Sequence, residues 1–284
     1  YNRSITKHSK DLTLMFRHST NSTHAPELMS HLARTRAGLA YIFTRKDPHG
    51  NYERILQLGG VWQSATYFGE DWLVPPFAYI RSFDRLFDIR PDTQHLLMIG
   101  GGGFSFPKMI AQEHPAITTD VVEIDPAMIR IARKWFFLDD AIEVQKKAGG
   151  SLNVIQGNGR DYLEKQPTGS LDALVIDAFF GRRPAKILAT AEAVTEAHRT
   201  LSPNGIFVTN IVSEGHKQDL SFLRQVTATL VQSFHYVEIV RATEETGSVE
   251  DNYLVLGSDA PLKQKDAINF DKDFLLEPLH SADL

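Results

Sequence analysis

Short apolar runs alternate with amphipathic segments between residues 95 and 230 of the chain. The runs are apolar on both faces, which is typical of buried strands in a parallel sheet, and the segments between them have helical spacing. Core strands are predicted at residues 95–99, 118–122, 153–156, 171–176 and 206–212. Helices are predicted at residues 126–136, 162–165, 186–201 and 220–234. This alternation predicts an α/β sheet covered by helices on both sides.

The two ends of the chain differ from this central region. Residues 36–74 alternate weakly between turn signals, so we predict a small β-hairpin domain there. Apolar residues at helical spacing predict a helix over residues 75–87, which starts at a pair of prolines. The last two strands, 236–241 and 252–257, are expected to be antiparallel. The predicted divisions are a poorly defined arm (1–35), the β-hairpin region (36–74), a Rossmann-like domain (75–260) and a loosely held polar tail (261–284).

Four consecutive glycines, Gly100, Gly101, Gly102 and Gly103, follow the first predicted core strand. The chain then passes through a helix-like segment and a second strand that closes on Glu123. This order of strand, glycine turn, helix, strand and acid is the layout of a nucleotide-binding βαβ unit. Glycine lets the backbone approach a ligand closely, because no Cβ is in the way. The carboxylate at the end of the second strand can accept hydrogen bonds from both hydroxyls of a ribose.

Polar residues also follow the next two predicted strands. Asn158 and Gly159 come after the third strand, and Asp177 comes after the fourth. Because ligands of such sheets bind at the carboxyl ends of the strands, these residues are expected to share one rim with the glycines and Glu123. The amide of Asn158 is suited to an adenine amino group, or alternatively to capping a turn. Asp177 is suited to a general base or to positioning an acceptor, with helix capping as the alternative.

Composition narrows the functional classes. The chain has 284 residues, a formal net charge of −5 and no Cys. There is no long basic run, which argues against nucleic-acid binding, and no apolar run of the ~18 residues that a membrane span needs. The lack of Cys excludes thiol nucleophiles and fits a cytoplasmic protein. The 11 histidines show no H-E-x-x-H or other ligand spacing, so no metal is expected.

The glycine turn alone leaves the choice of nucleotide open. A nicotinamide cofactor usually requires G-x-G-x-x-G, and although Gly101 and Gly103 fit, Phe106 stands at the third position. The Leu-Ser-Pro-Asn-Gly turn at residues 201–205 and the terminal strand pair are more typical of class I S-adenosylmethionine-dependent enzymes. We therefore expect an S-adenosylmethionine-type donor, and a nicotinamide-dependent dehydrogenase is the weaker alternative.

About residues 54–256 resemble the spermidine synthase family and its divergent relatives. The matching segments, each followed by the family motif, are G-G-V-W-Q at 59–63 (D-G-x-x-Q), G-G-G-G at 100–103 (G-G-G-D), V-E-I-D at 122–125 (V-E-I-D), G-N-G at 157–159 (G-D-G) and V-I-D-A-F-F at 175–180 (V-D-S-S-D-P). The resemblance implies a β-hairpin domain followed by a methyltransferase-like Rossmann domain, and a homodimer. It also implies a donor site formed by Gly100, Gly101, Gly102, Gly103, Glu123, Ile124, Asn158 and Gly159.

Departures from the family motifs concern the carboxylates. The family's loop aspartate binds the aminopropyl amine of decarboxylated S-adenosylmethionine and disfavours the carboxylate of S-adenosylmethionine, and here that position is Gly103. The second aspartate of D-S-S-D helps to hold the polyamine, and here it is Phe180. The positions that still match the family's functional residues include Gln63, Asp177 and, by alignment, Tyr79. Because burying an ammonium without a carboxylate is unfavourable, putrescine is not the expected acceptor.

These patterns together predict a spermidine synthase-like group transferase. Its donor is S-adenosylmethionine or the decarboxylated form, its acceptor is a small molecule, and Asp177 is its catalytic residue, as general base or as positioner of the acceptor. Methyl transfer is slightly favoured over aminopropyl transfer, because the acid that would reject a carboxylate-bearing donor is missing at Gly103. The alternatives are an aminopropyltransferase proper and a non-catalytic adenosyl-nucleoside-binding protein.

Overall fold

The protein is represented by a computed structural model that describes residues 24–213, 219–242 and 251–284. Its strands are β1 (Ser30–Thr35), β2 (Gly38–Lys46), β3 (Tyr52–Leu58), β4 (Val61–Tyr67), β5 (His95–Ile99), β6 (Thr118–Glu123), β7 (Ser151–Gln156), β8 (Leu171–Ile176), β9 (Phe179–Phe180), β10 (Arg183–Pro184), β11 (Leu201–Val212), β12 (Tyr236–Arg241), β13 (Asn252–Ser258) and β14 (Ala267–Ile268). Its α-helices are α1 (Ala78–Ser82), α2 (Arg85–Ile89), α3 (Ser105–Glu113), α4 (Pro126–Trp135), α5 (Leu138–Lys147), α6 (Gly159–Glu164), α7 (Ala191–Thr200) and α8 (Ser221–Leu230). Within these residues, no helix is long and apolar enough to cross a membrane.

Strands β1 to β4 form a separate antiparallel sheet in chain order. Alternating residues of β2 and β3, such as Ile42 and Leu56, are fully buried and pack against Met128, Ile131 and Phe136 at α4. This contact joins the small sheet to the larger domain.

Strand β1 corrects the predicted division of the chain. It lies within the arm predicted over residues 1–35, yet all six of its residues pair with β2. Most of its side chains are exposed, and the strand shows no apolar alternation that would predict it. The backbone hydrogen bonds to β2 hold it in place. Residues 1–23 of the predicted arm lie outside the described residues.

The large sheet has the strand order β14-β12-β13-β11-β8-β5-β6-β7. Strands β11, β8, β5, β6 and β7 are parallel, whereas β13, β12 and β14 join antiparallel to one another and to β11. Each face of the sheet packs on its own buried cluster, as the apolar character of both faces predicted. The mostly parallel α/β sheet, the antiparallel last strands and the small N-terminal sheet agree with the predicted fold class.

The helix predicted over residues 75–87 is wrong as a single element, because α1 and α2 are separate. Ser82 Oγ donates to the carbonyl oxygen of Ala78 at 3.1 Å, a contact that tends to bend a helix at its end. The helix begins only after the prolines, whose carbonyl oxygens accept hydrogen bonds from Arg81.

Two further helices differ from the prediction. The helix predicted over residues 186–201 begins only at Ala191, where Thr190 caps it by accepting from the amide of Ala193 at 3.3 Å. Helix α5 was not predicted, because its buried side includes Gln145, a polar residue that interrupts the apolar spacing.

The C-terminal tail is not loosely held, in contrast to the prediction for residues 261–284. Strand β14 pairs with β12, and Leu262 and Leu279 are buried. The carbonyl oxygen of Leu279 also accepts a hydrogen bond of 2.7 Å from the amide of Ala191, the first residue of α7. Backbone pairing and a few apolar contacts therefore hold a segment that is polar on average.

Candidate functional site

Four neighbouring parallel strands end in the residues singled out by the sequence. The order β8-β5-β6-β7 places Asp177, the glycine loop from Gly100, Glu123 and Asn158 in one row along the carboxyl edge of the sheet. This row is the place where open α/β sheets bind ligands.

The glycine loop is shaped by backbone contacts that exclude a side chain. Gly100 has φ +95°, and a Cβ there would lie 2.2 Å from the carbonyl oxygen of Asp177. At Gly103 a Cβ would lie 2.4 Å from Ser64 Oγ, which comes from the N-terminal sheet. The loop therefore contacts both β4 and the segment after β8, and it has no room for larger residues at these two positions.

Glu123 points into the glycine loop. Its Oε2 accepts hydrogen bonds from the amides of Gly101 and Gly102, at 2.9 and 3.2 Å, and its Oε1 accepts one of 2.8 Å from the amide of Asp125. Burial raises the pKa of Glu123, and these three backbone donors act in the opposite direction. Because an ionised carboxylate has about four acceptor positions, the group can still accept from ligand hydroxyls. The geometry fits the predicted ribose contact, and Ile124 lies partly exposed beside it.

Asn158 and Gly159 have structural contacts of their own. The side-chain oxygen of Asn158 accepts from the amide of Arg160 at 2.9 Å and so caps α6, which was the alternative interpretation of this residue. A Cβ on Gly159 would lie 2.2 Å from Ile99 Cγ2, so this glycine lets α6 pack closely against β5. Capping through the oxygen leaves the amide nitrogen of Asn158 available for the predicted adenine contact.

Asp177 lies on the other side of the glycine loop. Its Oδ1 accepts a hydrogen bond of 3.1 Å from Nδ2 of Asn210 on β11. Burial raises the pKa of Asp177 to about 6, although the Asn210 contact lowers it. Tyr79 of α1 is close enough for the charge of Asp177 to add to the effect of burial, which raises the pKa of Tyr79 well above its usual value. The arrangement gives a carboxylate that can accept a proton near neutral pH.

Asn210 was missed in the sequence analysis, although the sequence contains a signal for it. It is a buried amide in the second half of β11, where residues 206–212 are apolar apart from Asn210 and Thr209. A buried polar side chain requires a partner and is therefore more informative than the apolar residues around it.

The N-terminal sheet and a short hairpin complete this side. Gln63, at the bulge between β3 and β4, donates through Nε2 to the carbonyl oxygen of Gly181 at 3.1 Å. Gly181 is in the turn of the β9–β10 hairpin, which begins two residues after Asp177. Phe180 on this hairpin is 43% exposed. The structure thus brings Gln63, Tyr79 and Asp177 to one side of the glycine loop and presents Phe180 to solvent nearby.

Two surface cavities are lined by residues other than the glycine loop, Glu123, Asn158 and Asp177. One of about 290 Å³ is lined by residues that include Arg90 and Asn204, and one of about 600 Å³ is lined by residues that include Arg160 and His280. Among the described residues, no group of three or more His, Asp or Glu side chains is placed to hold a metal ion. The candidate site is therefore identified by the convergence of strand ends and not by cavity size.

Comparisons with known proteins show which family and which solved structures the chain resembles. The model of the spermine/spermidine synthase domain matches residues 87–245. The chain is 35% identical to a polyamine aminopropyltransferase of Chromobacterium violaceum over 135 residues, which cover 48% of each protein. It is 25% identical to putrescine N-methyltransferase 3 of Nicotiana tabacum over 177 residues, covering 60% of this chain and 44% of the relative. The chain thus spans about half the length of the curated relatives that it matches.

Solved structures support the fold. A probable spermidine synthase from Corynebacterium glutamicum superimposes with a TM-score of 0.67 at 22% identity, over 83% of this chain and 81% of that one. Human methyltransferase-like protein 13, in complex with SAH, superimposes with a TM-score of 0.52 at 20% identity, over 69% and 86%. The predicted Rossmann-like fold and the predicted family resemblance are both confirmed.

Proposed function

Because the chain belongs to the spermine/spermidine synthase family, we propose that it transfers an alkyl group from an adenosyl sulfonium donor to an amine. Aminopropyl transfer is the first candidate, since several matching relatives are polyamine aminopropyltransferases. This reverses the slight preference for methyl transfer that the sequence suggested. The observation that supports the proposal best is the row formed by Glu123, the glycine loop and Asp177, with the Glu123 carboxylate aimed into the loop.

In this proposal the residues on either side of the loop have different roles. The sulfonium of the donor supplies an activated carbon, so the protein mainly has to position the two reactants. Glu123 holds the ribose, Asn158 contacts the adenine, and the absence of a Cβ at Gly100 lets the glycine loop lie against the carbonyl oxygen of Asp177. Asp177 accepts the proton that the amine loses, and its pKa of about 6 keeps it ionised at pH 7. Gln63, Tyr79 and Phe180 line the acceptor side.

Methyl transfer from S-adenosylmethionine is the second candidate, and position 103 favours it. The resembling family has an aspartate there that holds the donor amine, whereas here Ser64 Oγ occupies the space in which a side chain would start. A donor that carries a carboxylate meets no acid at this position. The match to a putrescine N-methyltransferase is in line with this alternative. Because Phe180 replaces the second acid of the acceptor side, we also propose an acceptor other than putrescine.

Calorimetry with four ligands tests the donor site: S-adenosylmethionine, its decarboxylated form, methylthioadenosine and NAD. We expect at least one adenosyl sulfonium compound to bind and NAD not to bind, and binding of NAD alone would refute the proposal. Turnover with each donor against a panel of amines then separates aminopropyl from methyl transfer. Binding without any product would support a non-catalytic adenosyl-nucleoside-binding protein.

Exchange of Glu123 tests its role in donor binding. Glu123→Gln keeps the side-chain shape but removes the charge, and we expect donor affinity to fall about tenfold to a hundredfold, because hydrogen bonds to an ionised group are worth about 1.5–3 kcal/mol. Asp120→Asn on the same strand is the matched control, since Asp120 contacts His95 at the opposite end of the sheet. Unchanged donor affinity in Glu123→Gln would contradict the ribose role.

The exposed outer face of the N-terminal sheet supports a homodimer. Leu32 and Tyr41 are directly paired across β1 and β2, and together with Leu39 they expose a contiguous apolar area. Such areas on a protein surface mark contact sites. We propose that a second copy of the chain covers this face. Light scattering should give twice the chain mass of 31.9 kDa, and a Leu32→Glu variant should give the mass of a single chain.

A further inference from the structure

Asp125 is a buried carboxylate two residues after Glu123, and the reaction outlined above gives it no role. It is 6% exposed, and each of its oxygens accepts a backbone hydrogen bond from a different element. Oδ1 accepts from the amide of Ala127 at 2.8 Å and so caps α4, and Oδ2 accepts from the amide of Arg36 at 2.6 Å. A helix cap requires only one acceptor oxygen. The second contact reaches the N-terminal sheet, 89 residues away in the chain.

The donor of this second contact lies in the β1–β2 turn, which consists of Arg36 and Ala37. Ala37 is partly buried against the apolar cluster that joins the N-terminal sheet to α4. The apolar contacts hold the sheet against the helix, and the hydrogen bond attaches the turn to the loop that follows Glu123. The turn therefore lies at the end of β6, beside the predicted ribose contact.

Hydrogen bonds continue from Asp125 to Glu123. The amide of Asp125 donates to Glu123 Oε1 at 2.8 Å, while the carboxylate of Asp125 accepts from Arg36. Burial raises the pKa of Glu123, and the charge of Asp125 adds to this effect. Because two buried carboxylates repel each other, the backbone donors to Asp125 stabilise a charge that would otherwise disfavour the ionised form of Glu123.

We propose that the β1–β2 turn belongs to the donor site, and that the Arg36 amide and Asp125 are positioning groups that orient the Glu123 carboxylate toward the ribose hydroxyls. This inference rests on the proposed function and adds to it two groups that do not contact the donor. Hydrogen bonds weaken steeply when they are misaligned, so a carboxylate that is held in place binds hydroxyls better than one that has to be ordered on binding. The N-terminal sheet thus contributes to donor binding.

The test has to distinguish positioning from a purely structural role. A structural contact affects every ligand of the site alike, whereas positioning of Glu123 affects only ligands with ribose hydroxyls. The probes are methylthioadenosine and its 2′,3′-dideoxy analogue, which lacks both hydroxyls. The ratio of their dissociation constants, measured by calorimetry, reports the hydroxyl contacts alone. For the unchanged protein we expect methylthioadenosine to bind about tenfold or more tightly than the analogue.

Arg36→Pro removes the amide hydrogen that Asp125 accepts. Arg36 does not have a positive φ, and proline is favoured at the first central position of common β-turns, so the exchange suits the turn. We expect the affinity ratio of the two ligands to fall to about threefold or less. Arg36→Ala is the matched control, since it keeps the amide and removes only an exposed side chain, and its ratio should equal that of the unchanged protein.

Asp125→Asn breaks the same contact without a change in the backbone. Asparagine caps helices as well as aspartate does, and with its oxygen on Ala127 its amide nitrogen faces the N–H of Arg36. The affinity ratio should fall as in Arg36→Pro, although the loss of a charge beside Glu123 would by itself favour the ionised carboxylate. The double variant should fall no further, because both exchanges remove one shared contact. Chemical denaturation shows that each variant is folded.

The outcomes separate this inference from the function on which it rests. An unchanged affinity ratio in Asp125→Asn or in folded Arg36→Pro would overturn the positioning role and leave the ribose contact of Glu123 intact. A ratio that falls equally in Arg36→Ala and Arg36→Pro would also overturn it. If Glu123→Gln keeps the ratio, or if neither ligand binds to the unchanged protein, the proposed donor site fails and the inference fails with it.

Discussion

The two sides of the glycine loop, which we propose bind the donor and the acceptor, are built in different ways. On the donor side, Glu123 and the glycine loop contact each other through backbone amides, and they lie about 20 residues apart in one βαβ unit. On the acceptor side, the contacts are made by side chains from separate elements, such as Tyr79 on α1, Asp177 after β8 and Asn210 on β11. One side is a local backbone structure, and the other is an assembly of distant side chains.

Because of this difference, substitutions on the two sides should have different effects. A side chain on the acceptor side can change without disturbing the backbone around it, so this side is free to adopt new acceptors. On the donor side, Gly100 and Gly103 have no space for a Cβ, so a change there displaces neighbouring segments. Variants on the acceptor side should therefore alter turnover alone, whereas variants of the loop should alter stability and donor binding together.

The largest effect is expected from Asp177→Asn. Removal of the proposed base should lower kcat by about 10²- to 10⁴-fold, the usual contribution of general base catalysis. Donor affinity should remain within about twofold, because Asp177 lies on the acceptor side and Asn preserves its shape. Rapid-quench turnover and calorimetry measure the two quantities. In the unchanged protein the acidic limb of the pH–rate profile should lie near pH 6, the pKa to which burial raises Asp177, and the limb should be absent in the variant.

An equal loss of turnover and donor affinity in Asp177→Asn would contradict the separation of the two sides. A variant with full turnover would exclude Asp177 as the base, and Tyr79 would become the next candidate for that role.

The next largest effect is expected from Gly100→Ala. The new methyl group would lie 2.2 Å from the carbonyl oxygen of Asp177, at a backbone φ of +95°. Steric conflict and backbone strain together should lower the free energy of unfolding by about 3 kcal/mol. Because the conflict involves Asp177, this variant should affect both donor binding and turnover.

Gly102→Ala is the matched control for Gly100→Ala. Gly102 also has a positive φ, +52°, but nothing lies within 4 Å of its Cβ position, so only the backbone strain of about 1–2 kcal/mol should remain. Chemical denaturation gives both values. Equal destabilisation by the two exchanges would show that the contact with Asp177 has no effect.

The same difference explains what could be predicted from the sequence. The sheet and the donor side were predictable, because apolar runs, glycines and the acid at the end of β6 follow one another over a short stretch. Asp177 was predictable from its place after a buried strand. Asn210 was not identified, because its partner lies 33 residues away and only the pairing of β11 with β8 brings the two together.

Elements held by backbone contacts or by polar residues also escaped prediction. Strand β1 is held by pairing and not by apolar alternation, and helix α5 uses Gln145 on its buried side.

The backbone conformation of Phe104 could not be predicted from the sequence either. The residue adopts φ +59° immediately before α3, a conformation that a bulky side chain rarely takes. Its ring is fully buried and lies 2.7 Å from the position of a Cβ on Gly101. Packing of this ring against the glycine loop compensates for a backbone conformation that the residue type disfavours.

The smallest effect concerns Lys108, which lies where the N-terminal sheet meets helix α3. Its ammonium group is almost completely buried and donates to Thr66 Oγ1 at 2.5 Å and to the carbonyl oxygen of Trp72 at 3.3 Å. No carboxylate within the described residues forms an ion pair with it, and burial lowers its pKa from 10.5 to about 7. Near pH 7 the buried side chain of Lys108 is therefore partly deprotonated in the native protein.

Exchange of Lys108 for Met should stabilise the protein by about 1–2 kcal/mol at pH 7, because an apolar side chain of similar length replaces an unpaired buried cation. In the unchanged protein the native state releases this proton near pH 7, whereas the unfolded chain keeps it up to about pH 10.5. Between these values the unfolded state binds more protons, so the free energy of unfolding should rise with pH. Urea denaturation from pH 7 to pH 10 should show this rise in the unchanged protein and a smaller one in Lys108→Met.

A Lys146→Met variant, changed at an exposed lysine of α5, controls for the loss of one charge. The same pH dependence in all three proteins would contradict the assignment to Lys108. Because the Lys108 ammonium group contacts Thr66 and Trp72 and neither Glu123 nor Asp177, donor affinity and turnover should each change by no more than about twofold in Lys108→Met. A larger change would mean that the joint between the N-terminal sheet and α3 contributes to the site, and that the division into a donor side and an acceptor side is incomplete.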